Sequence, residues 1–266
     1  MNTTFVHVGK CAGDTVVTYL SAASACWNEV HVRPLSPAMV QDKRVIIAVR
    51  DPVDRFISAF NFHRVETGRT AAANELLGCF PLIDDLAMQL TPPNQQSPLT
   101  PCKRHAIIAA ITPSKEYGHI SMGLSFYVQP VIESLVSSGN YRLVHTESLE
   151  ADLASAVRWI GLDPPKVTLP RMRYSASLHL RNMTHISHVG RILLRHTLFH
   201  EYQMLEMLES RSTGQPAAVT EDGVFAMPVA APAGEFTDAQ IRRPDRDLPH
   251  GGRTPPSMLI KGAESS

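Results

Sequence analysis

The run RVIIAV at Arg44–Val49 most constrains the fold of this chain. It is apolar throughout its length, which is typical of a parallel β-strand covered on both faces. Shorter runs at 5–8, 30–32 and 141–145 also have strand character, and helical spacing follows three of the four runs. This alternation over residues 5–208 predicts an α/β domain with a central, mostly parallel sheet flanked by helices.

Composition divides the chain into a folded part and a tail. We predict an α/β domain at 1–209, with helices near 15–27, 121–137, 149–160 and 186–208. Within it, residues 67–103 contain the proline-broken stretch TPPNQQSPLTPC, which predicts an irregular insertion and a candidate substrate lid. Residues 210–266 are rich in Pro, Gly and polar residues without any period, which predicts a disordered tail.

Charge and cysteine usage exclude some classes of protein. Lys+Arg and Asp+Glu number 25 each, so there is no overall basic field and nucleic acid is not favoured as a partner. The four cysteines, at 11, 26, 79 and 102, form no CxxC pair, so neither a zinc site nor a redox motif is indicated and a reducing compartment fits best. No apolar run approaches the ~18 residues of a membrane span, and no signal peptide precedes the first strand. These patterns predict a cytoplasmic protein without a transmembrane segment.

The segment Phe5–Leu20 reads as a strand, a glycine turn and a helix. Such a turn presents backbone N–H groups and the positive end of a helix dipole, so it is suited to binding an anion. The nucleotide-binding pattern GxxxxGK[ST] is not met, because Cys11 follows Lys10 and position 4 is Thr.

A different family shares this loop. FVHVGKCAGDT resembles the 5′-phosphosulfate loop of carbohydrate-type sulfotransferases that use 3′-phosphoadenosine-5′-phosphosulfate (PAPS). The positions that match are His7, Val8, Gly9, Lys10, Gly13 and Thr15. The positions that depart from the family pattern are Cys11, Ala12 and Asp14.

A second segment strengthens the resemblance. VIIAVRDPVDRFISAF is similar to the 3′-phosphate segment of the same family, in which a strand leads into RDPxxRxxS. The resemblance implies that Arg50 and Ser58 bind the 3′-phosphate, while Asp51 and Arg55 structure the turn. YRLVHTESLEADLASAVRWIGL and LFHEYQMLEML resemble the late strand–helix unit and the final helix, which often carries an acidic–Tyr pair.

The resemblance implies a three-layer, P-loop-like fold and a sulfotransferase activity. The sulfuryl group of PAPS would move to an acceptor hydroxyl or amine, with a sugar or glycolipid as the favoured acceptor. Lys10 and the loop amides would stabilise charge on the leaving phosphate, and no metal would be required. The residues expected to bind PAPS are Gly9, Lys10, Cys11, Ala12, Gly13, Asp14, Thr15, Arg50 and Ser58.

A general base must also take the proton of the acceptor, and four residues qualify: His31, His63, His119 and Glu66. We favour His31 as the second catalytic residue beside Lys10. His31 lies at the end of a short strand on the ligand-binding edge of the sheet, and some relatives keep a base histidine at a similar place. A histidine bonded within the core remains the alternative for this position.

Asp14 is the awkward residue of the loop, since it stands where the family carries a hydroxyl. It is expected either to cap the following helix or to weaken PAPS binding by repulsion. The basic loop containing Arg171, Arg173, Arg181 and Asn182 is either an ordinary solvated run of charges or, as in relatives of the resembled family, a loop that covers the nucleotide. A nucleotide-dependent kinase and a non-catalytic nucleotide-binding relative remain as alternatives, and the sequence leaves the oligomeric state open.

Overall fold

Four parallel strands form the centre of the molecule in a computed structural model, which describes residues 3–66, 69–90, 99–167, 169 and 185–212. The strands are β1 (Thr3–Val6), β2 (Trp27–Val30), β3 (Arg44–Val49) and β4 (Tyr141–His145). Their order is β2-β1-β3-β4, with Phe5 opposite Glu29 and Ile46, and Ile47 opposite Leu143. The predicted α/β class and parallel sheet are therefore confirmed.

Eleven α-helices lie in the described residues and follow the strands. The first part of the chain contains α1 (Gly13–Ala22), α2 (Pro37–Val40), α3 (Pro52–Val65), α4 (Ala71–Cys79), α5 (Ile83–Gln89) and α6 (Pro101–Ile111). The second part contains α7 (Leu124–Val128), α8 (Ile132–Ser138), α9 (Leu149–Trp159), α10 (His188–Thr197) and α11 (Phe199–Ser212). Short 3-10 turns lie at Gly118–Ile120 and Gln129–Val131.

Two hydrophobic clusters hold these elements together. The first surrounds the sheet, where α1 contacts α9 and where α11 packs on α7, α8 and β4. The second lies between α3, α4, α5, α6 and α10 and includes the fully buried side chains of Phe60, Leu76 and Ile83. Truncation of a buried phenylalanine typically costs 3–5 kcal/mol, so both clusters are central to stability.

The second cluster corrects the prediction of an irregular insertion at 67–103. Helices α4 and α5 and the start of α6 occupy this region. Thr70 caps α4 by accepting from the N–H of Ala73, and Thr100 caps α6 by accepting from the N–H of Lys103. The prediction was wrong because it relied on the prolines of this stretch. The short helices form because they are capped and because their apolar faces are buried. Residues 91–98 lie outside the described part of the chain.

A disulfide joins the same two helices. Cys79 at the end of α4 is bonded to Cys102 in the first turn of α6, with their Cα atoms 5.5 Å apart. Disulfides are rare in cytosolic proteins, so this bond argues against the predicted reducing compartment. The cytoplasmic location stays a prediction, and this disulfide weighs against it. No helix in the described residues has the length and apolar character needed to cross a membrane.

Several helix boundaries also differ from the predicted ones. The helix expected at 121–137 is divided into α7, a 3-10 turn and α8, and the last helix is divided at Leu198 into α10 and α11. Helix α11 ends at Ser212, slightly beyond the predicted domain end at 209. The predicted tail from 213 onward and the basic loop at 171–182 lie outside the described residues.

Candidate functional site

The order of the strands places two loops side by side. The chain passes from β1 to β2 on one side and then to β3 on the other side of β1. Ligands of open α/β sheets bind at such a reversal, outside the carboxyl ends of the strands. The loop after β1 carries Lys10, and the turn after β3 carries Arg50. Nη1 of Arg50 makes a long hydrogen bond of 3.5 Å to the carbonyl oxygen of Lys10, so the two predicted phosphate-binding segments meet here.

The loop between β1 and α1 has an unusual backbone. Lys10 and Ala12 both adopt the left-handed conformation, with φ of 70° and 56°. Each such residue other than glycine costs about 1–2 kcal/mol, and this strain is typical of functional loops. Alternating backbone conformations of this kind form concave nests of N–H groups that bind anions.

The backbone amides at the start of α1 also indicate an anion site. The N–H of Cys11 is bonded to the carbonyl of Val8, and that of Thr15 to the carbonyl of Ala12. The amides of Gly13 and Asp14, in the first turn of α1, have no intrahelical acceptor by the geometry of a helix start. Of the predicted loop set, the backbone at Gly13 and Asp14 is thus better placed to bind an anion than that at Cys11 or Thr15.

Glycine is required at two loop positions because histidine rings lie against them. A Cβ atom at Gly9 would come within 2.3 Å of Nδ1 of His119, and one at Gly13 within 1.8 Å of Nε2 of His7. These glycines were predicted as PAPS-binding residues, and that role stays a prediction. Their missing side chains, however, make room for imidazoles, which the sequence pattern did not predict.

Three residues that depart from the family pattern have separate explanations. Cys11 is buried, and burial raises the pKa of its thiol to about 12, so it places no charge beside the loop. Ala12 occupies the N-cap position of α1. Asp14 is therefore not the N-cap, and no side chain caps this helix, so the predicted capping role of Asp14 is wrong. Its carboxylate is exposed in the first turn, where its negative charge interacts favourably with the positive end of the helix dipole.

Lys10 is held over an aromatic ring. Its Nζ lies 3.9 Å from the ring centroid of Phe62 on α3, a cation–π contact that fixes the ammonium on this side of the loop. Burial lowers the pKa of Lys10, Asp14 opposes this effect, and Arg50 adds to it. Ser58 lies one helical turn before Phe62 and so on the same face of α3. It is half-buried, and its hydroxyl has no hydrogen bond to the described residues.

Asp51 has the predicted structural role in the turn after β3, whereas Arg55 orders a different segment. Asp51 caps α3, accepting from the N–H of Asp54 through Oδ1 and from the hydroxyl of Tyr202 through Oδ2. Arg55 is only 3% exposed and donates to the carbonyl oxygens of His119 and Ile120 at 2.7 and 3.0 Å. The turn after β3 thus orders both the last helix and the segment around His119.

The acidic–Tyr pair of α11 is structural in the same way. Tyr202 reaches Asp51, while Glu201 is buried and accepts from the backbone N–H and the hydroxyl of Ser125. His200 lies 3.4 Å from the Glu201 carboxylate and adds an ion pair when it is protonated. These contacts hold α11 against α3 and α7 beneath the site.

Histidines from three loops form a stack above the sheet edge. His31 follows β2, and its ring lies parallel to that of His7 with centroids 4.0 Å apart. On its other side, His119 lies at 5.3 Å with an interplanar angle of 11°. Glu29 Oε1 is 2.7 Å from Nδ1 of His7 and fixes the end of the stack. His31 is partly exposed, and burial followed by the nearby His7 lowers its pKa.

Two of the other base candidates, His63 and Glu66, have contacts elsewhere. Nε2 of His63 accepts the backbone N–H of His119 at 2.9 Å, so this neutral ring carries its proton on Nδ1. That Nδ1 lies 2.6 Å from Oε2 of Glu66, at an angle that makes the contact electrostatic rather than a well-formed hydrogen bond. Burial, with Lys10 next, lowers the pKa of His63 to about 4. His63 and Glu66 are therefore better suited to holding His119 in place than to taking the proton of the acceptor.

One group of side chains in the described residues has the composition of a metal site: His7, Glu29 and His31. A metal lies in the plane of each imidazole that binds it. The parallel stacking of His7 and His31 at 4.0 Å prevents their lone pairs from converging on one ion. Metal-free catalysis stays a prediction.

Comparison with known proteins identifies no relative, because no family model, no curated protein and no solved structure matches this chain.

Proposed function

We propose that this chain is a PAPS-dependent sulfotransferase with a three-layer, P-loop-like fold. The observation that carries the proposal is the approach of Arg50 to the carbonyl of Lys10 at 3.5 Å. The two segments that resemble the 5′- and 3′-phosphate sites of the family are 40 residues apart in sequence and adjacent at the switch point of the sheet.

In this proposal the donor is bound at both of its phosphate groups. The strained loop and the first amides of α1 hold the 5′-phosphosulfate, with the ammonium of Lys10 beside it. Arg50 and Ser58 hold the 3′-phosphate, where a guanidinium can make paired, charge-assisted hydrogen bonds. The exposed carboxylate of Asp14 weakens donor binding only modestly, because solvent screens it.

The chemistry is an in-line transfer. The acceptor oxygen or nitrogen forms a bond to sulfur while its proton passes to His31. The bond from sulfur to the bridging oxygen breaks, and its electron pair stays on the 5′-phosphate, where Lys10 stabilises the charge. A lowered pKa keeps His31 neutral near pH 7, as a proton acceptor must be.

The acceptor class comes from the resemblance. A hydroxyl or amine of a sugar, on a glycan or glycolipid, is the favoured acceptor. The balance of 25 basic and 25 acidic residues gives no support to a nucleic-acid acceptor.

Ligand binding tests the proposal without knowledge of the acceptor. We expect adenosine 3′,5′-bisphosphate to raise the melting temperature more than ATP with Mg²⁺, since a ligand at 100 times its Kd stabilises by about 2.7 kcal/mol. Arg50→Ala should weaken bisphosphate binding, and Arg33→Ala, which alters an exposed arginine, should not. A preference for ATP with Mg²⁺ would contradict the proposal.

The kinase alternative is weakened by the position of Asp51. It is the acidic residue at the end of β3, yet one oxygen accepts the N–H of Asp54 and the other accepts the hydroxyl of Tyr202. Both oxygens thus already serve structural hydrogen bonds, and each has only one further lone pair for the water shell of Mg²⁺. The non-catalytic alternative is tested by turnover of ³⁵S-labelled PAPS on a panel of sugar acceptors.

A further inference from the structure

The backbone of His119 is held by two hydrogen bonds, although the residue comes from a short 3-10 turn far along the chain. Helix α3 fixes its backbone on both sides. His63 accepts its N–H at 2.9 Å, and Arg55 donates to its carbonyl oxygen at 2.7 Å. Its ring lies directly on Gly9, where a Cβ atom would collide with Nδ1.

The two ring nitrogens of His119 have different surroundings. Nδ1 is buried and has no hydrogen-bond partner among the described residues. A buried N–H without an acceptor is rarer and more costly than a bare lone pair, so we assign the proton to Nε2. Because the residue as a whole is partly exposed, Nε2 is the nitrogen that can meet a ligand.

The neighbours of His119 show which part of the site its Nε2–H group can reach. Phe62 carries the ammonium of Lys10 at 3.9 Å from its ring centroid, and the same ring lies 6.0 Å from that of His119. On the other side, His31 stacks at 5.3 Å. His119 thus lies between the residue proposed to stabilise the leaving phosphate and the residue proposed to take the acceptor proton.

We infer that His119 is a catalytic residue that donates a hydrogen bond from Nε2 to an oxygen of the transferred sulfuryl group. This inference rests on the proposed function. The acceptor proton passes to His31 and the electron pair of the broken bond stays on the phosphate beside Lys10, while His119 keeps its proton throughout. Burial, with His31 next, lowers the pKa of His119 to about 3, so it stays neutral and is too weak a base to replace His31.

Two ligands that differ by the sulfuryl group isolate this contact. We would measure by calorimetry the affinities of PAPS and of adenosine 3′,5′-bisphosphate for the wild type, His119→Phe, His119→Asn and His119→Gln. The glutamine amide can place an N–H near the position of Nε2, whereas the shorter asparagine amide reaches only the position of Nδ1. Phe and Asn are therefore expected to lower the preference for PAPS over the bisphosphate by about tenfold, the effect of one charge-assisted hydrogen bond. Gln should retain most of the preference.

The bisphosphate serves as the internal control, since it should bind all four proteins equally. An unchanged preference for PAPS in both His119→Phe and His119→Asn would overturn the inference while leaving the proposed function intact. A wild type that binds neither ligand would overturn both. If His119→Phe does not fold, the comparison of Asn with Gln decides the question alone.

Discussion

Tyr202 on the last helix donates a hydrogen bond of 2.8 Å to Oδ2 of Asp51, the residue that caps α3. The bond joins residues 151 positions apart in sequence and connects α11 to the turn that carries Arg50. The bond also stabilises the site, because α3, whose start it fixes, holds His119 in place through Arg55 and His63.

Tyr202→Phe removes this hydrogen bond. We expect a loss of about 1–2 kcal/mol in the free energy of unfolding, because a hydrogen bond to a charged group is lost. Tyr19→Phe is the matched control, since the hydroxyl of Tyr19 has no hydrogen bond to the described residues and its removal should be nearly neutral. Urea unfolding of both variants measures the difference, and equal midpoints would show that the Tyr202 bond contributes nothing.

Lys10→Ala removes the ammonium that lies over Phe62. We expect turnover of PAPS to fall by roughly 10²-fold or more, the typical effect of losing one transition-state donor. Lys115→Ala alters an exposed lysine and should leave turnover unchanged. A fully active Lys10→Ala protein would show that Lys10 does not stabilise the leaving phosphate.

The acid limb of the pH profile should report His31. Burial, with His7 next, lowers the pKa of His31 from its usual 6.5, so we expect kcat/KM to fall only as the pH drops below that value. His31→Ala should lower kcat/KM by about 10²–10⁴-fold and abolish this limb. His188→Ala, at an exposed histidine, is the control. Near-normal activity of His31→Ala would exclude His31 as the base.

The stability of the protein should depend on pH through His145 at the end of β4. Burial alone would lower its pKa, but hydrogen bonds to Asp152 and Glu209 outweigh burial and raise it above 6.5. A raised pKa means that protonated His145 stabilises the fold below about pH 6.5, and that this stabilisation is lost as the pH rises through the folded-state pKa.

The comparison of wild type with His145→Gln isolates this effect from the other histidines. We expect the difference in urea midpoint to be largest near pH 5.5 and to shrink toward pH 8.5. The effect should be modest, because the His145 side chain is 32% exposed and solvent screens its partners. A difference that grows with pH would contradict the assignment.

Ala12→Gly should relieve the strain of the phosphate loop. With φ at 56°, Ala12 costs about 1–2 kcal/mol, and the entropy lost by glycine offsets part of the gain. We expect a net stabilisation of up to about 1 kcal/mol in thermal unfolding. Ala151→Gly, on the exposed face of α9, should instead destabilise by about 1 kcal/mol. Destabilisation by both changes would show that the loop carries no strain at Ala12.

The sheet was predictable because its signal is local. Arg44–Val49 and Tyr141–His145 are strands with the predicted bounds, since parallel strands buried on both faces are continuous apolar runs. Helices α4 and α5 were not predictable, because each is too short to show a clear period and its stability comes from burial of residues such as Leu76 and Ile83.

The candidate site likewise contains residues that could be predicted from the sequence and residues that could not. Lys10 and Arg50 could be chosen from the sequence, since Lys10 lies in the loop between a strand and a helix and Arg50 follows a strand directly. The place of His119 could not, because it depends on Arg55 and His63, whose hydrogen bonds to it span 64 and 56 positions. No pattern in GHI, the three residues of its 3-10 turn, indicates that a ring there lies on Gly9.

The bond between Cys79 and Cys102 has a consequence for anyone who maps the chain with proteases. A single cut anywhere between these two positions leaves the fragments covalently joined. On a denaturing gel without reductant the nicked protein therefore migrates near the intact chain, and two bands appear only after dithiothreitol is added. Apparent resistance of this region to digestion can be judged only on reduced samples.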